Sequence, residues 1–476
     1  MIVLAIDQGT SGTKALLHDG DTILAVVEVP VRPLYLEGGG VEVDPHTLLN
    51  SVLEAGTLAL AQVGNPPVDA VAIANQGETV MAWDPQTGAP LSPAIVWQDR
   101  RSEVICAELR DHADLLAART GLVLDSYFSA PKMAWLRRYV TAEGVVTTTD
   151  SWLVHQLTGA FVTDATTASR SLLVDVDTLT WDRELLELFG LAQEPLPTIV
   201  RNDQIVGSTS AFGAPAPVAG LIVDQQAALV AQRCLSPGSA KCTFGTGAFL
   251  LANTGDQAVR STQGLTTSAA WSLNEERAYC LDGQVYTAGS AVRWMVSAGL
   301  LSSPEALDAE CGDTTGGAAF VPGLAGMAAP WWVSQQCGAL TGLGLSTERP
   351  NLVRAVVEGL AAQVVALTRS VEAEIGAPLD RLRVDGGLTR SRVLMQAQAN
   401  LLQVPVDIYP SPHATALGAA TMARLALDPS LLLEDAIDHW TPEASFEPQW
   451  SADRAADTMS VWETAVQSVL PGKVQR

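Results

Sequence analysis

The chain is poor in positive charge: 28 Lys and Arg stand against 52 Asp and Glu in 476 residues, a formal net charge of −24. No basic cluster stands out. Duplex nucleic acid and anionic membrane surfaces are both recruited through cations, so neither is expected as a partner. An acidic surface does not exclude a nucleotide, because backbone N–H groups and a metal ion hold phosphates locally. Cysteine is scarce too. The six, Cys106, Cys234, Cys242, Cys280, Cys311 and Cys337, form no C-x-x-C pair. That removes zinc ribbons and dithiol redox motifs and leaves small buried apolar side chains in a reducing compartment. The six histidines offer no triad and no metal cluster. No uninterrupted apolar stretch reaches the ~20 residues of a membrane helix, and Met1 leads straight into a strand-like run without a basic leader. A cytoplasmic protein is the expectation.

What is present points to large cores. Hydrophobic residues make up 47% and charged ones 17% of the chain, which excludes disorder and, at this length, implies about two or three domains. The pattern is mixed α/β. Residues 2–6 read as a buried strand, closed by Asp7-Gln8-Gly9-Thr10, and 14–18 as a returning strand, together a hairpin. Helical periodicity at 46–62 and a strand at 68–74 follow. The device recurs at 239–251, where a strand, Gly245-Thr246-Gly247 and a second strand appear in order. A long helix at 351–374, a strand at 381–384, Asp385-Gly386-Gly387, helices at 391–403 and from Thr415, and an amphipathic stretch at 452–469 complete the second half. This echo suggests two halves of related design, 1–234 and 235–476, with the break at Leu235-Ser236-Pro237-Gly238.

Asp7 to Lys14 carries the first candidate chemistry. A glycine turn brings backbone N–H groups to an anion, the hydroxyls of Thr10, Ser11 and Thr13 can donate to phosphate, Lys14 can balance charge, and Asp7 can hold Mg²⁺ directly or through water. The spacing is neither a P-loop nor a Rossmann fingerprint. Taken alone it reads equally as an ordinary hairpin turn. Gly245-Thr246-Gly247 is a bland turn alone and a second phosphate clamp if paired with the first. Asp385-Gly386-Gly387 offers small residues for close approach by a flat ligand such as adenine.

These motifs occur in order with others: "NQGETVMAWDPQTGAPL" at 75–91, "AIVWQDRR" at 94–101, "DSYFSAPKMAWL" at 125–136, "DATTASR" at 164–170, "DQQAAL" at 224–229 and "TALGAA" at 415–420. Together they resemble the FGGY family of carbohydrate kinases, and within it the glycerol kinases, from about residue 2 to about 425. The resemblance implies an α/β fold of two ribonuclease-H-like domains, as in actin and hexokinase, around an interdomain cleft. It implies phosphoryl transfer from ATP, with Mg²⁺, to an alcohol of a small polyol or sugar. Carried over residue by residue, Asp7 and Asp224 fall near the metal. Thr10, Ser11 and Lys14 fall in the first phosphate loop, with Lys14 where glycerol kinases usually have Arg, and Gly245 and Thr246 fall in the second. Gly387 and Ser391 fall at adenosine, and Asp224 is the general base. Asp224 has a competing role as a cap of the helix that follows it. Glu78, Trp97, Tyr127, Asp224, Gln225 and Phe249 match the substrate pocket. By the same analogy a homodimer is expected, and domain closure is expected to hinge near 230–238 and after 425.

Three departures stand out. The family's "NQRE" reads Asn75-Gln76-Gly77-Glu78, so the guanidinium fork of the substrate site is missing at Gly77. Either the vacated volume admits a polyol or ketose of about four or five carbons, or another group replaces the fork and glycerol remains the substrate. The segment 326–338 lacks the family's acidic and basic members, consistent with a lost surface ion pair or a changed cleft lip. Residues 209–217 lack the cation of a sugar-bisphosphate loop, so no such effector site is expected. Two other classes compete with an active kinase: an inactive sugar-binding relative and an actin-type filament protein.

Overall fold

The computed structural model describes residues 1–274, 276–333 and 335–470. Two mixed sheets organise it. The first has the order β5-β6-β4-β1-β2-β3, from β1 (Val3–Gln8), β2 (Gly12–His18), β3 (Ile23–Pro30), β4 (Ala70–Asn75), β5 (Gly207–Thr209) and β6 (Ala216–Val223). The second has the order β9-β10-β8-β7-β11-β12-β13, from β7 (Ala240–Phe244), β8 (Ala248–Gly255), β9 (Thr266–Ser272), β10 (Arg277–Val285), β11 (Leu382–Asp385), β12 (Val406–Ile408) and β13 (Ala444–Phe446). In each sheet an antiparallel hairpin (β1–β2, β7–β8) lies beside a parallel strand (β4, β11). The two halves therefore share one plan, as the expected duplicated α/β fold requires.

Local chemistry starts and stops the helices. In α1 (Pro45–Gln62), Asp44 accepts from the Thr47 N–H and proline occupies the first turn, which suits its missing N–H. Two short helices follow chain turns into the cleft, α2 (Asp224–Ala231) and α3 (Gly289–Ser297). The long α4 (Arg349–Ile375) begins with a reciprocal Glu348–Asn351 box and ends at left-handed Gly376. It alone among the described residues is long and apolar enough to span a membrane, but 72% of its most apolar stretch is buried in the protein. It is the core helix of the second half.

α5 (Arg392–Leu402) covers the second sheet, whereas α6 (Ala414–Leu427) crosses back and packs on α2, β1, β4 and β6 of the first. A Cβ at Gly418 of α6 would lie 1.9 Å from the Ala227 carbonyl oxygen, so the α2–α6 contact needs glycine there. One buried cluster joins both halves: Val3, Ala5, Leu16 and Ala72 from the first sheet meet Leu251, Trp271 and Cys280 from the second. A side sheet of five short strands (Leu34–Tyr35, Val41–Val43, Val80–Trp83, Ala94–Ile95, Val145–Thr148) flanks the first half and carries the outer wall of the cleft.

Candidate active site

Strand register assembles the site. Asp7 sits beside Ala74 and Gln8 beside Asn75 in the parallel β1–β4 ladder, and Val223 pairs with Asn75 in β6–β4. The carboxyl ends of three strands thus bring Asp7, the turn Gln76-Gly77-Glu78 and Asp224 together. In the second sheet the β7–β11 register sets Thr243 beside Asp385 and brings Gly245-Thr246 next to Gly386-Gly387.

Each hairpin turn is built for close approach. In the first, Gly9 N–H donates to the Gly12 carbonyl at 3.0 Å, leaving Thr10 and Ser11 at the tip. Trp97 Nε1 donates to Thr10 Oγ1 at 2.8 Å and holds the tip against the substrate side. Thr13 does not join it: strand alternation turns its hydroxyl inward to Ser51 Oγ, 2.7 Å away and buried. Lys14 lies opposite Asp7 in the β1–β2 ladder. In the second turn, Gly245 N–H donates to Gly247 O at 2.9 Å, and the carbonyls of Gly245 and Thr246 accept from Ala288, Gly289 and Ser290 at the start of α3. Gly386 packs so closely on Phe244 that a Cβ would lie 2.5 Å from its carbonyl oxygen, whereas Gly387 faces open space, a surface that admits a flat base. The Ser391 hydroxyl is occupied: it caps α5 by accepting from Leu394 N–H and donates to Asp308 at 2.5 Å. One lone pair of the hydroxyl is left to accept from an adenosine N–H or O–H.

One cavity of 430 Å³ joins these parts. Glu78, Trp97, Tyr127, Asp224, Gln225 and Phe249 line it together with Thr10, Ser11 and Thr246. Trp97 meets Tyr127 and Phe249 edge-on at 5.5 and 6.0 Å, a geometry suited to the aromatic quadrupole. Buried Lys132 fixes the Tyr127 turn by donating to the carbonyls of Ser126, Tyr127 and Phe128 at 2.6–2.9 Å. Gly77 does not line the cavity; its φ is +84° and its Cβ position abuts Val223 at 3.1 Å.

Sequence reasoning missed Arg170, Asp282 and Lys241. Arg170 and Asp282 line the cavity, and Arg170 bonds Glu78 through Nε and Asp282 through Nη1. "DATTASR" carries Arg170 without marking it, and nothing local marks Asp282. Lys241 is fully buried, donating to Gln225 Oε1 at 2.5 Å and Thr243 Oγ1 at 2.8 Å, while Thr243 donates to Asp385 at 2.6 Å. This chain ties the residue after Asp224 to the second hairpin. In segment 326–338, Trp332 Nε1 donates to Gly264 O at 2.8 Å, and its ring centroid lies 6.3 Å from that of Phe128. Ser334 of that segment is outside the described residues.

The electrostatics are acidic. Burial, then the neighbouring Asp7 and Glu78, push the Asp224 carboxyl up to about 7, against Lys241 and the Gln225 N–H. Burial pushes Asp7 up to about 6, Lys14 working against it and Glu28 and Asp385 with it. Burial lowers the Lys241 ammonium. No group of three metal-ligating side chains occurs among the described residues. Two under-compensated carboxylates facing a phosphate cradle nevertheless suit a hard cation that takes its remaining ligands from phosphate and water.

Two lobes of one design, each aiming a glycine turn across an acidic cleft, define a two-domain phosphotransferase. The family model of the "FGGY family of carbohydrate kinases" matches in its N-terminal domain at residues 2–231 and in its C-terminal domain at residues 240–427. The chain is 39% identical over 489 residues to a glycerol kinase of Janthinobacterium sp. (strain Marseille) and 41% identical over 485 to one of Thermus brockianus, covering 98% of both chains in each case. The crystal structure of Plasmodium falciparum glycerol kinase with ADP superposes with a TM-score of 0.90 at 31% identity, over 99% of this chain and 98% of that one. The protein belongs to the FGGY family of carbohydrate kinases.

Proposed function

We propose that the protein transfers the γ-phosphoryl group of ATP to a hydroxyl of a small uncharged polyol or sugar, with Asp224 as general base. The observation that carries this reading is the placement of Asp224: it lines the cavity with Glu78 and Tyr127 on one side and the tips of both glycine turns on the other. The polyol oxygen forms a bond to phosphorus as the bond from phosphorus to the ADP oxygen breaks. The hydroxyl proton passes to the Asp224 carboxylate. A base contributes about 10²–10⁴-fold, and most of the remaining acceleration comes from in-line positioning and from charge neutralisation at the phosphates. The backbone of Thr10-Ser11 and Gly245-Thr246, with Lys14, holds the phosphates, and Gly387 gives the base its flat surface. Asp7, with Asp224, would hold Mg²⁺, which when bound neutralises phosphate charge.

Arg170 places a guanidinium beside Glu78 in spite of Gly77, and this favours glycerol as a substrate. The relatives named glycerol kinase agree with that choice. A second cavity of 280 Å³ favours a longer substrate: it shares Tyr35, Trp97, Gln98 and Tyr127 with the first and leaves room beyond a three-carbon chain. The test is ADP release with Mg-ATP across glycerol, erythritol, threitol, xylitol, ribitol, xylulose, ribulose and erythrulose. Highest kcat/KM on glycerol assigns the guanidinium reading, and highest kcat/KM on a four- or five-carbon compound assigns the annex. Polyol binding without ADP release from any of them would make the protein an inactive relative.

A further inference from the structure

Arg170 is 4% exposed, yet it lines the polyol cavity. Its partners come from four other segments. Nε donates to Glu78 Oε1, Nη1 to Asp282 Oδ2 at 2.5 Å and more distantly to Ser268 Oγ at 3.5 Å, and Nη2 reaches only the Tyr127 hydroxyl at 3.4 Å. The rings of Tyr127 and Phe128 flank the guanidinium at 5.7 and 5.9 Å. A guanidinium carries five N–H donors in a rigid plane. Those on Nε and Nη1 are committed to carboxylates, while Nη2 has no partner at ordinary hydrogen-bond length. A buried donor left in that state is costly, and an incoming hydroxyl would satisfy it.

We propose that Arg170 binds a substrate hydroxyl through Nη2, and that Arg170, Glu78 and Asp282 together form the hydroxyl-reading wall that Gly77 cannot supply. The inference rests on the polyol-kinase reading and names the residue that gives it specificity. Glu78 and Asp282 orient the fork and offer free lone pairs to accept from the same or an adjacent hydroxyl. The fork enters from the end of the helix Ala165–Ala168 rather than from the turn after β4. The cavity wall carries the carboxylates of Glu78, Asp224 and Asp282 against two guanidiniums, that of buried Arg170 and that of exposed Arg293.

The experiment compares wild type, Arg170→Lys and Arg170→Gln on the best polyol of the panel and its deoxy analogues (for glycerol, propane-1,2-diol and propane-1,3-diol). Expected are a rise of about tenfold or more in polyol KM for both variants, with KM for ATP within about twofold. The wild type should discriminate against one deoxy analogue by about tenfold or more, and the variants by less than about threefold. Unchanged discrimination in the variants overturns the proposal, because a purely structural arginine would leave it intact. Should both variants fail to fold, wild-type crystals soaked with the polyol decide. A hydroxyl within hydrogen-bond distance of Nη2 supports the assignment, and a polyol that leaves Nη2 uncontacted overturns it. Wild type inactive on every polyol would instead mean that the kinase reading itself had failed.

Discussion

Asp224→Asn tests the base directly, because the capping role is not filled: Val223 is the N-cap of α2 and no side-chain cap bond is made. Asp224 is the first residue of α2, and its Oδ1 accepts from the Gln225 N–H at 2.7 Å. Asparagine keeps an oxygen for that bond but cannot take a proton at neutral pH. Turnover should fall about 10²–10⁴-fold, while KM for ATP stays within about threefold. Stability should move the other way. The carboxyl ionises near 3.8 in the unfolded chain and near 7 in the folded apo-protein. The folded state therefore binds the extra proton between those values, and stability falls as pH rises through that window. Three pKa units correspond to about 4 kcal/mol. The half-buried carboxylate lines a water-accessible cavity, so about half of that is realistic. Urea unfolding of the apo-protein without Mg²⁺ should show the variant about 1–3 kcal/mol more stable than wild type at pH 8, and the two alike near pH 4. Turnover within tenfold of wild type would refute the base. A stability loss at pH 8 would instead show that the fold favours the ionised carboxylate.

Asp150, buried beside Asp164 with Oδ1 unpartnered among the described residues, is pushed up to about 7 chiefly by burial; by the same sign, Asp150→Asn should stabilise the protein at pH 8 by on the order of 2–4 kcal/mol and have little effect near pH 4, read by urea unfolding. Gly77→Arg should not restore the family fork, because φ is +84° and Val223 lies 3.1 Å from the new Cβ; a loss of about 1–2 kcal/mol and a lower kcat/KM are expected. Gly418→Val should destabilise by about 3 kcal/mol or more, since even a Cβ overlaps the Ala227 carbonyl, and thermal melting would show it. Chelation by EDTA should abolish ADP release while ATP titration by calorimetry still shows weak binding, and restored Mg²⁺ should recover activity.

The legible parts of this molecule are those that local sequence determines. The hairpins at 3–18 and 240–255, α1, α4 and α6 carry their periodicity and turn residues within one window, so strand, turn and helix follow from the chain alone. The side sheet does not. Its strands of two to four residues show no alternation and exist because neighbours pair with them. α6 reads as a helix, but its seat on the first sheet is a long-range contact. The site divides the same way. Asp7 and the glycine turns end strands and are legible as turns, but their role, and Asp224 altogether, come from the resemblance. Arg170 meets Glu78 and Asp282 across 92 and 112 residues of chain, and no spacing rule spans that. Ser391 was assigned to adenosine by resemblance alone, although a serine immediately before a helical run is first of all an N-cap.

The shared core also says which part of the clamp moves. α2 and α6 meet through glycine and alanine, and the cluster around them holds side chains from both sheets under one another. Opening the lobes at this end would expose that apolar seam, at a cost proportional to its area, and beside the polyol cavity the halves are tied as well by the buried Arg170–Asp282 ion pair and by the Ala269 N–H donating to Ser169 Oγ. An opening that preserves both would pivot on the seam and widen the mouth, and small-angle scattering with and without ligands is expected to show the change in dimensions. Asp224 begins α2, at the pivot, and so keeps its place beside Glu78 and Arg170 as the lobes part. The second glycine turn is carried by β7 and β8 on the far lobe. Closure is therefore expected to complete the polyol wall, since Phe249 and Asp282 come from the far lobe, as it brings phosphate toward Asp224, the proposed base, and to expel the water that would otherwise compete with the polyol for the phosphoryl group.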